Sequence, residues 1–287
     1  MTKRLSIAKT YKMFINGKFP RTESGRFYPL CDKRKKVIAN ICLGSRKDFR
    51  NAVVAARPAV KGWSGASPYL RGQILYRVAE LLEGRCEQFT AELMLEGSSR
   101  TRAEKEVTSS VDRLVYYAGW ADKYQQIFSS VNPVNAPYFN FSVSEACGVV
   151  AIIAPPDKGL LGLVSVVAPI IAGGNTCIVL AAEQHPLTAI NLAEVIHGSD
   201  VPAGVVNILT GKRAELAEHF ASHMDVNTVI CCDPSMDEKK SMQIAGAENL
   251  KRVHFYDSSS WVKDTGQGPE FISDGQEIKT TWHPIGG

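Results

Sequence analysis

The sequence predicts an α/β protein: a parallel sheet with helices on both faces, preceded by a helical layer. Three observations predict it. From Cys147 onward, short apolar runs alternate with helix-length segments, and such strand–helix–strand alternation requires crossovers that lay helices over a parallel sheet. The runs Val149-Val150-Ala151-Ile152-Ile153 and Cys177-Ile178-Val179-Leu180 are continuously apolar, as strands buried on both faces are. Before Tyr124, apolar residues recur at helical spacing.

Taken in order, Lys12 to Asn40 reads as extended, with Met13-Phe14-Ile15 running into Asn16-Gly17, a two-residue hairpin turn. Ser45-Arg46-Lys47-Asp48 resembles a capping box with Asp in the Glu/Gln place. It opens a helix to about Arg57, with Phe49, Val53 and Ala56 on one face. A second helix covers Leu70 to Leu82, a third Cys86 to Leu95 and a fourth Glu104 to Tyr124; Pro133 and Pro137 mark the loop that follows. Strands at 149–153 and 177–180 flank a helix from Leu160 to Ala172. Next come a helix from Pro186 to His197, a strand from Gly204 to Leu209, a helix from Glu215 to Ser222 and the apolar run Val229 to Cys232. Asp233 and Pro234 then turn into a helix starting near Ser235. The tail, Glu277 to His283, alternates like an exposed or edge strand.

Composition narrows the function classes. With 287 residues, 45% hydrophobic and 22% charged, the chain can form one large domain or two smaller ones. A net charge of +4 is too weak to suggest a nucleic-acid partner, and the basic run Asp32-Lys33-Arg34-Lys35-Lys36 reads as a solvated turn. Gly159 to Ala182 is uncharged and long enough to span a bilayer, but Pro169 and Gly173-Gly174-Asn175-Thr176 interrupt it; a buried helix and strand are expected, and no membrane role. Seven irregularly spaced cysteines and an N-terminus lacking an apolar h-region fit a reducing, cytoplasmic location. His219 and His223 are four apart but lack a third ligand, so no metal site is expected. Cys231 and Cys232 should point to opposite faces of a strand, which excludes a shared metal or an easy disulfide. Cys147 and Cys177 read as core residues, because no histidine partner can be named for either.

Several motifs carry a family resemblance. LAAEQHPLTA, from Leu180 to Ala189, resembles the KPAEQTPLTA of NAD(P)-dependent aldehyde dehydrogenases. VPAGVVNILTG, from Val201 to Gly211, resembles their FPPGVVNIVTG, and Asn249-Leu250-Lys251-Arg252-Val253 matches the NLKRV preceding their catalytic glutamate. The wording AKTYKMFINGK and GSRKDFRNAVVAAR further resembles the degenerate second module of the two-module, sixteenth-class members. The resemblance implies a Rossmann-like sheet. It assigns residues 1–265 to a cofactor-binding domain with its N-terminal hairpin and 266–287 to an oligomerisation tail, with the hairpin and the terminal strand as elements that pair between subunits.

The departures bear on function. The family attacks an aldehyde with a cysteine thiolate, stabilises the oxyanion, passes a hydride to nicotinamide and deacylates with a glutamate-activated water. Its oxyanion asparagine, in a PWN motif, falls here on Pro155-Pro156-Asp157, and its general base, in ELGG, falls on Tyr256-Asp257-Ser258-Ser259. No cysteine follows Cys232, so neither the GQ-x-C nucleophile nor a catalytic domain is expected, and no catalytic residue is assigned. The GSTxxG phosphate turn aligns with the glycine-free Asp233-Pro234-Ser235-Met236-Asp237-Glu238, and the adenosine-side lysine aligns with Leu180. Glu183 matches the ribose-binding glutamate and is the single candidate cofactor residue; a charge at a helix start is the favoured alternative. The expectation is a non-catalytic homologue with no cofactor or weakly bound NAD(P). It would serve as a scaffold or regulatory subunit, as a homodimer or a hetero-oligomer with a full aldehyde dehydrogenase. The alternative is an NAD(P)-dependent oxidoreductase whose active site a partner supplies or the sequence does not reveal.

Overall fold

The structure, a computed structural model, describes residues 9–32, 34–257 and 261–286. Ala8, Lys33, Ser258 and Ser259, all read in the sequence above, lie outside them. The chain opens with β1 (Thr10–Tyr11), β2 (Phe27–Cys31) and β3 (Val37–Cys42). Helices α1 (Arg46–Ser64), α2 (Pro68–Glu83), α3 (Cys86–Leu95) and α4 (Arg100–Trp120) follow. A short α5 (Tyr124–Phe128) leads to β4 (Ser130–Asn132) and β5 (Tyr138–Ala146). The alternating unit comprises β6 (Val149–Ile153), α6 (Leu161–Ala172), β7 (Thr176–Leu180), α7 (Pro186–Gly198), β8 (Val206–Leu209), α8 (Arg213–Ser222), β9 (Thr228–Cys232), α9 (Met236–Ala247) and β10 (Arg252–Tyr256). Last come α10 (Glu270–Ser273) and β11 (Gln276–Pro284).

The central sheet is parallel throughout, in the order β10-β9-β6-β7-β8. The chain lays down β6, β7 and β8 in one direction and returns to the other side of β6 for β9 and β10. That reversal opens a crevice at the C-terminal ends of β6 and β9, where α/β sheets place ligands. Every residue of β6, β7 and β9 is buried, which explains their unbroken apolar runs. Alternate residues feed two cores: Val150, Ile152, Val179 and Cys232 pack in one, and Ala151, Ile153, Leu180 and Cys231 in the other. Cys231 and Cys232 thus face opposite sides of the sheet, as their alternation requires. Among the described residues no helix is long and apolar enough to cross a membrane.

The capping box on α1 forms as read: the Ser45 hydroxyl accepts from Asp48 N at 3.2 Å, and Asp48 Oδ2 accepts from Ser45 N at 2.8 Å. The helix continues past Arg57 and through Pro58 to Ser64. Its last turn is anchored by buried Trp63, whose indole donates to Ile171 O at 2.9 Å, so tertiary packing overrides the proline. The Asn16-Gly17 turn has both residues at positive φ, 53° and 68°, as a type I′ hairpin needs. It does not project from the molecule. Phe14 bridges antiparallel to Ile208, and Asn16 N donates to Asn207 Oδ1 at 3.0 Å, so the hairpin covers the outer edge of β8 in its own chain.

No pattern in the sequence marks β4 and β5. β5 pairs antiparallel with β11 over its whole length, from Gln276↔Ala146 to Pro284↔Tyr138, and β4 pairs on its other side. The sheet β11-β5-β4 therefore joins the tail to residues 130–146. Its alternation is inverted: Asn140, Ser142 and Ser144 are buried, while Phe139 is exposed.

Candidate functional site

Helices α6, α7, α8 and α9 each begin near the C-terminal edge of the central sheet. The unpaired N–H groups and positive dipole end of such helices can bind an anion. In this molecule each of the four starts already carries a carboxylate of the chain. Glu106, from α4, accepts from Leu160 N at 3.0 Å and Leu161 N at 3.3 Å at the head of α6. Glu96, at the end of α3, accepts from Leu187 N at 2.7 Å and from the Thr188 hydroxyl at 2.6 Å at the head of α7. Glu183 accepts from Arg213 N at 2.8 Å at the head of α8. Glu238, on α9 itself, accepts from Ser235 N at 2.8 Å in a capping box. His185 closes the second of these sites, with Nδ1 3.3 Å from Glu96 Oε2. Burial is the largest influence and works against the imidazolium, but the hydrogen bond and charge of Glu96 together with the charges of Glu106 and Asp157 outweigh it and raise the His185 pKa above its ordinary value.

The turn that the resemblance assigns to a pyrophosphate is held by Arg213. Its guanidinium donates to Glu238 Oε1 at 2.7 Å and Oε2 at 3.2 Å, to Cys232 O at 2.8 Å and to Cys231 Sγ at 3.1 Å. Burial is the largest single influence and opposes the charge on both partners, yet their mutual hydrogen bonds and charges, with the bonds Ser235 makes to Glu238, together outweigh it: Arg213 is raised above its ordinary pKa and Glu238 lowered below its own. Burial pushes the Cys231 thiol up to about 12 despite the adjacent Arg213, so it is not a nucleophile near neutrality. Asp233 adopts φ 46°, a left-handed conformation suited to the glycine that the family's turn carries.

Two cavities flank this turn. One of about 290 Å³ is lined by Ile153, Ala154, Leu180, Glu183 and Arg213 at the mouth of β6 and β7. The other, about 600 Å³, lies between α8 and α9, with Ala217, Met242 and Ala245 against the acidic Glu218, Asp237 and Glu248. Leu180, where a lysine was looked for, is 2% exposed and belongs to the core at the end of β7.

The other residues singled out in the sequence fall as follows. Glu183 caps α8, not the α7 helix it precedes in sequence, because the loops after β7 and β8 meet above the sheet. Asp157 is exposed in the loop after β6. Tyr256 ends β10 opposite Cys232, and its hydroxyl donates to Asp274 Oδ2 at 2.6 Å. Burial and that carboxylate hold the phenol well above its ordinary pKa, so it cannot act as a base near pH 7. His223 Nδ1 accepts from Asp225 N at 3.2 Å, and its ring meets the edge of Phe49. Glu96, Glu106 and Arg213 were missed. The two glutamates reach the site from helices far away in sequence, where nothing local marks them. Arg213 could have been noticed as the one arginine opening a helix of the alternating unit.

The family model described as "Aldehyde dehydrogenase family" matches residues 20–256. An aldehyde dehydrogenase of Emericella nidulans is 31% identical over 269 residues, covering 93% of this chain and 52% of its own length. Omega-crystallin of Enteroctopus dofleini is 33% identical, with 85% and 50% covered. Human aldehyde dehydrogenase 1A1 is 33% identical, with 84% and 49% covered. Among solved structures, a Bacillus cereus aldehyde dehydrogenase in complex with NAD+ superposes with TM-score 0.81 at 28% identity, covering 86% of this chain and 51% of that one. The chain spans about half the length of the curated relatives it matches.

Proposed function

The chain belongs to the aldehyde dehydrogenase family, and we propose that within it this chain is a non-catalytic scaffold or regulatory subunit that binds NAD(P) weakly or not at all. The observation that carries the proposal is the self-capping of α6 to α9 by Glu106, Glu96, Glu183 and Glu238. A dinucleotide needs a helix start free to take its pyrophosphate. Here it would have to expel Glu238 from Ser235 N and Arg213. Charge-assisted bonds are worth about 1.5–3 kcal/mol each, so losing one weakens binding by roughly 10- to 100-fold. Asp157 adds a negative charge where the resemblance puts an oxyanion donor, and half-buried Tyr256 stands where it puts a base.

The outer sheet supports the subunit half of the proposal. β11 leaves a nine-residue edge, with Ile278 57% and Trp282 58% exposed on one face, while Phe139 and Val131 are exposed on the other, beside the Lys279–Glu145 ion pair. A second copy, or a complete aldehyde dehydrogenase, is the proposed partner, over on the order of 1,000 Å² or more. All seven cysteines are free thiols, which fits a reducing compartment such as the cytoplasm.

The NAD+ complex of the Bacillus cereus neighbour favours a second reading, a working NAD-dependent oxidoreductase. Calorimetric titration with NAD+ and NADP+, paired with an assay of NADH formation from propanal, separates the two. The scaffold reading expects no micromolar binding and no NADH. Micromolar affinity together with aldehyde-dependent NADH, abolished by Asp157→Ala, would overturn it.

A further inference from the structure

A groove of about 290 Å³ runs between α2 and α4, and it shares no residue with the crevice at β6 and β9 or with the outer sheet. Its floor lies where the two helices touch. Gly72 is buried there, and a Cβ on it would lie 2.7 Å from Ala118 O, so the absence of a side chain lets the backbones come this close. Gly119, beside Ala118, leaves the floor open: a Cβ there would meet nothing within 4 Å beyond its own helix. Tyr69 and Tyr76 stand along the α2 wall and Val115 along the α4 wall, 66%, 49% and 41% exposed. Aromatic side chains gathered along one groove mark a recognition surface, whereas scattered ones do not.

The spacing of the two rings bears on the backbone they can hold. Tyr69 and Tyr76 are seven residues apart on one face of α2, which sets them about 10.5 Å apart along its axis. In a polyproline II segment, residues three apart share a face and are separated by about 9 Å. Prolines at those positions can each lie on one ring. A helix with anchors seven apart matches the spacing as well, but it does not match the polar groups. The exposed Tyr69 and Tyr76 hydroxyls can donate, and so can the exposed Gln73 amide between them. A polyproline II backbone has unpaired carbonyls to accept these bonds, and a helix has spent its carbonyls on itself.

Charge marks one end of the groove. At Tyr69 the neighbouring Asp122 and Lys123 pair with each other at 3.1 Å. Beyond Tyr76 the walls turn acidic: Glu80 and Glu83 continue the same stripe of α2, and Asp112 stands one turn before Val115 on α4, all three exposed. Glu80 has a partner in Arg77 at 3.2 Å, which leaves a net negative end. We propose that this groove binds a proline-rich segment of a partner protein, of the form Pro-x-x-Pro with basic residues at one end. The prolines lie on Tyr69 and Tyr76, a carbonyl between them accepts from Gln73, and the basic residues meet Asp112 and Glu83. Aromatic-lined grooves recognise such segments because they are already extended and lose little entropy on binding. The inference stands independently of the scaffold reading, since no residue of the crevice or the outer sheet takes part.

Fluorescence anisotropy of the purified chain with the fluorescein-labelled peptides APPLPPARR and RRAPPLPPA tests the groove. Saturable binding of at least one is expected, weakened at least tenfold when every proline is replaced by alanine at unchanged charge. Tyr69→Ala should weaken it at least tenfold. So should Gly119→Leu, which fills the groove from an open helix position and should leave Tm unchanged or higher. Asp112→Asn combined with Glu83→Gln should weaken binding several-fold and flatten its dependence on salt. No saturable binding of either peptide, equal binding of the alanine versions, which would point to a helical partner, or full binding by the Gly119→Leu variant would each overturn the proposal.

Discussion

In the central sheet, β6, β7 and β9 bury every side chain, and each helix that follows a strand begins on a carboxylate of the same chain. In the outer sheet, β5 turns Asn140, Ser142 and Ser144 inward and leaves Phe139 44% exposed, with Val131 of β4 68% exposed beside Phe141. Its inner polar groups are partly networked: the Asn132 amide donates to Asn140 Oδ1 at 2.6 Å, and Ser142 shares a hydrogen bond with Thr280 at 2.8 Å. The central unit covers its apolar strands and its helix starts from within. The outer sheet leaves Phe139 and Val131 exposed, and exposed apolar patches are where a partner is proposed to bind. The proposed scaffold role rests on this contrast between capped helix starts at the crevice and exposed aromatic and aliphatic side chains on the outer sheet.

The largest effect should come from breaking the central self-capping. Glu106→Ala leaves Leu160 N and Leu161 N without an acceptor in a buried site and opens a cavity beneath α6. A loss of about 3 kcal/mol is expected, which lowers Tm by roughly 6–12 °C for a chain of this size. Differential scanning calorimetry checks it. A shift below 2 °C would mean that water replaces the carboxylate without penalty.

The outer sheet should respond in the opposite way. Phe139→Ser with Phe141→Ser removes apolar surface from a face that the chain itself does not cover. Tm should change little. If that face is an interface, two lost aromatic anchors weaken association by about 100-fold or more. Multi-angle light scattering should then read one chain where the unaltered protein reads two or more, and deleting residues 276–287 should do the same. A unaltered protein that runs as a monomer and captures no aldehyde dehydrogenase would leave the outer sheet without the role proposed for it.

The two regions were also unequally legible in the sequence. Fully buried parallel strands announce themselves as unbroken apolar runs, so β6, β7 and β9 could be placed within a residue or two, and the Ser45 cap followed from a local pattern. β5 escaped because its alternation places polar residues inside, and Pro133 and Pro137 beside it looked like punctuation for a loop. Asn16-Gly17 reads as a hairpin from its sequence alone, whereas the bridge of Phe14 to Ile208 within the chain is visible only in the fold. In the crevice, the turn after β9 is readable as acidic and glycine-free from Asp233, Asp237 and Glu238 alone, whereas the capping box that Ser235 forms with Glu238 is seen in the folded chain. Glu106 and Glu96 are not readable from the sequence either, since each caps a helix more than fifty positions away and only the folded chain brings them there.

The smallest effect concerns the turn itself and sharpens the comparison most. Arg213 and Glu238 are 21% and 30% exposed, so their ion pair is partly screened and contributes on the order of 1 kcal/mol. Glu238→Gln removes the charge and keeps a group able to accept from Ser235 N. Because the folded Glu238 pKa is lowered, the stability it lends is fully present above the unfolded carboxylate pKa and disappears as pH falls through the folded value. The variant should therefore be less stable than the unaltered protein at pH 7, and the two should converge as pH falls through the lowered folded value. The same substitution frees Arg213 beside the head of α9 and removes one negative charge from the turn. If Glu238 occupies the place of a pyrophosphate, NAD+ should bind the variant at least as well as the unaltered chain, and adding Asp233→Gly, at a backbone position already left-handed, should strengthen binding further. A variant that loses stability at pH 7 and gains no affinity would separate the two properties, leaving the carboxylate as a cap and placing the barrier to the dinucleotide elsewhere in the crevice.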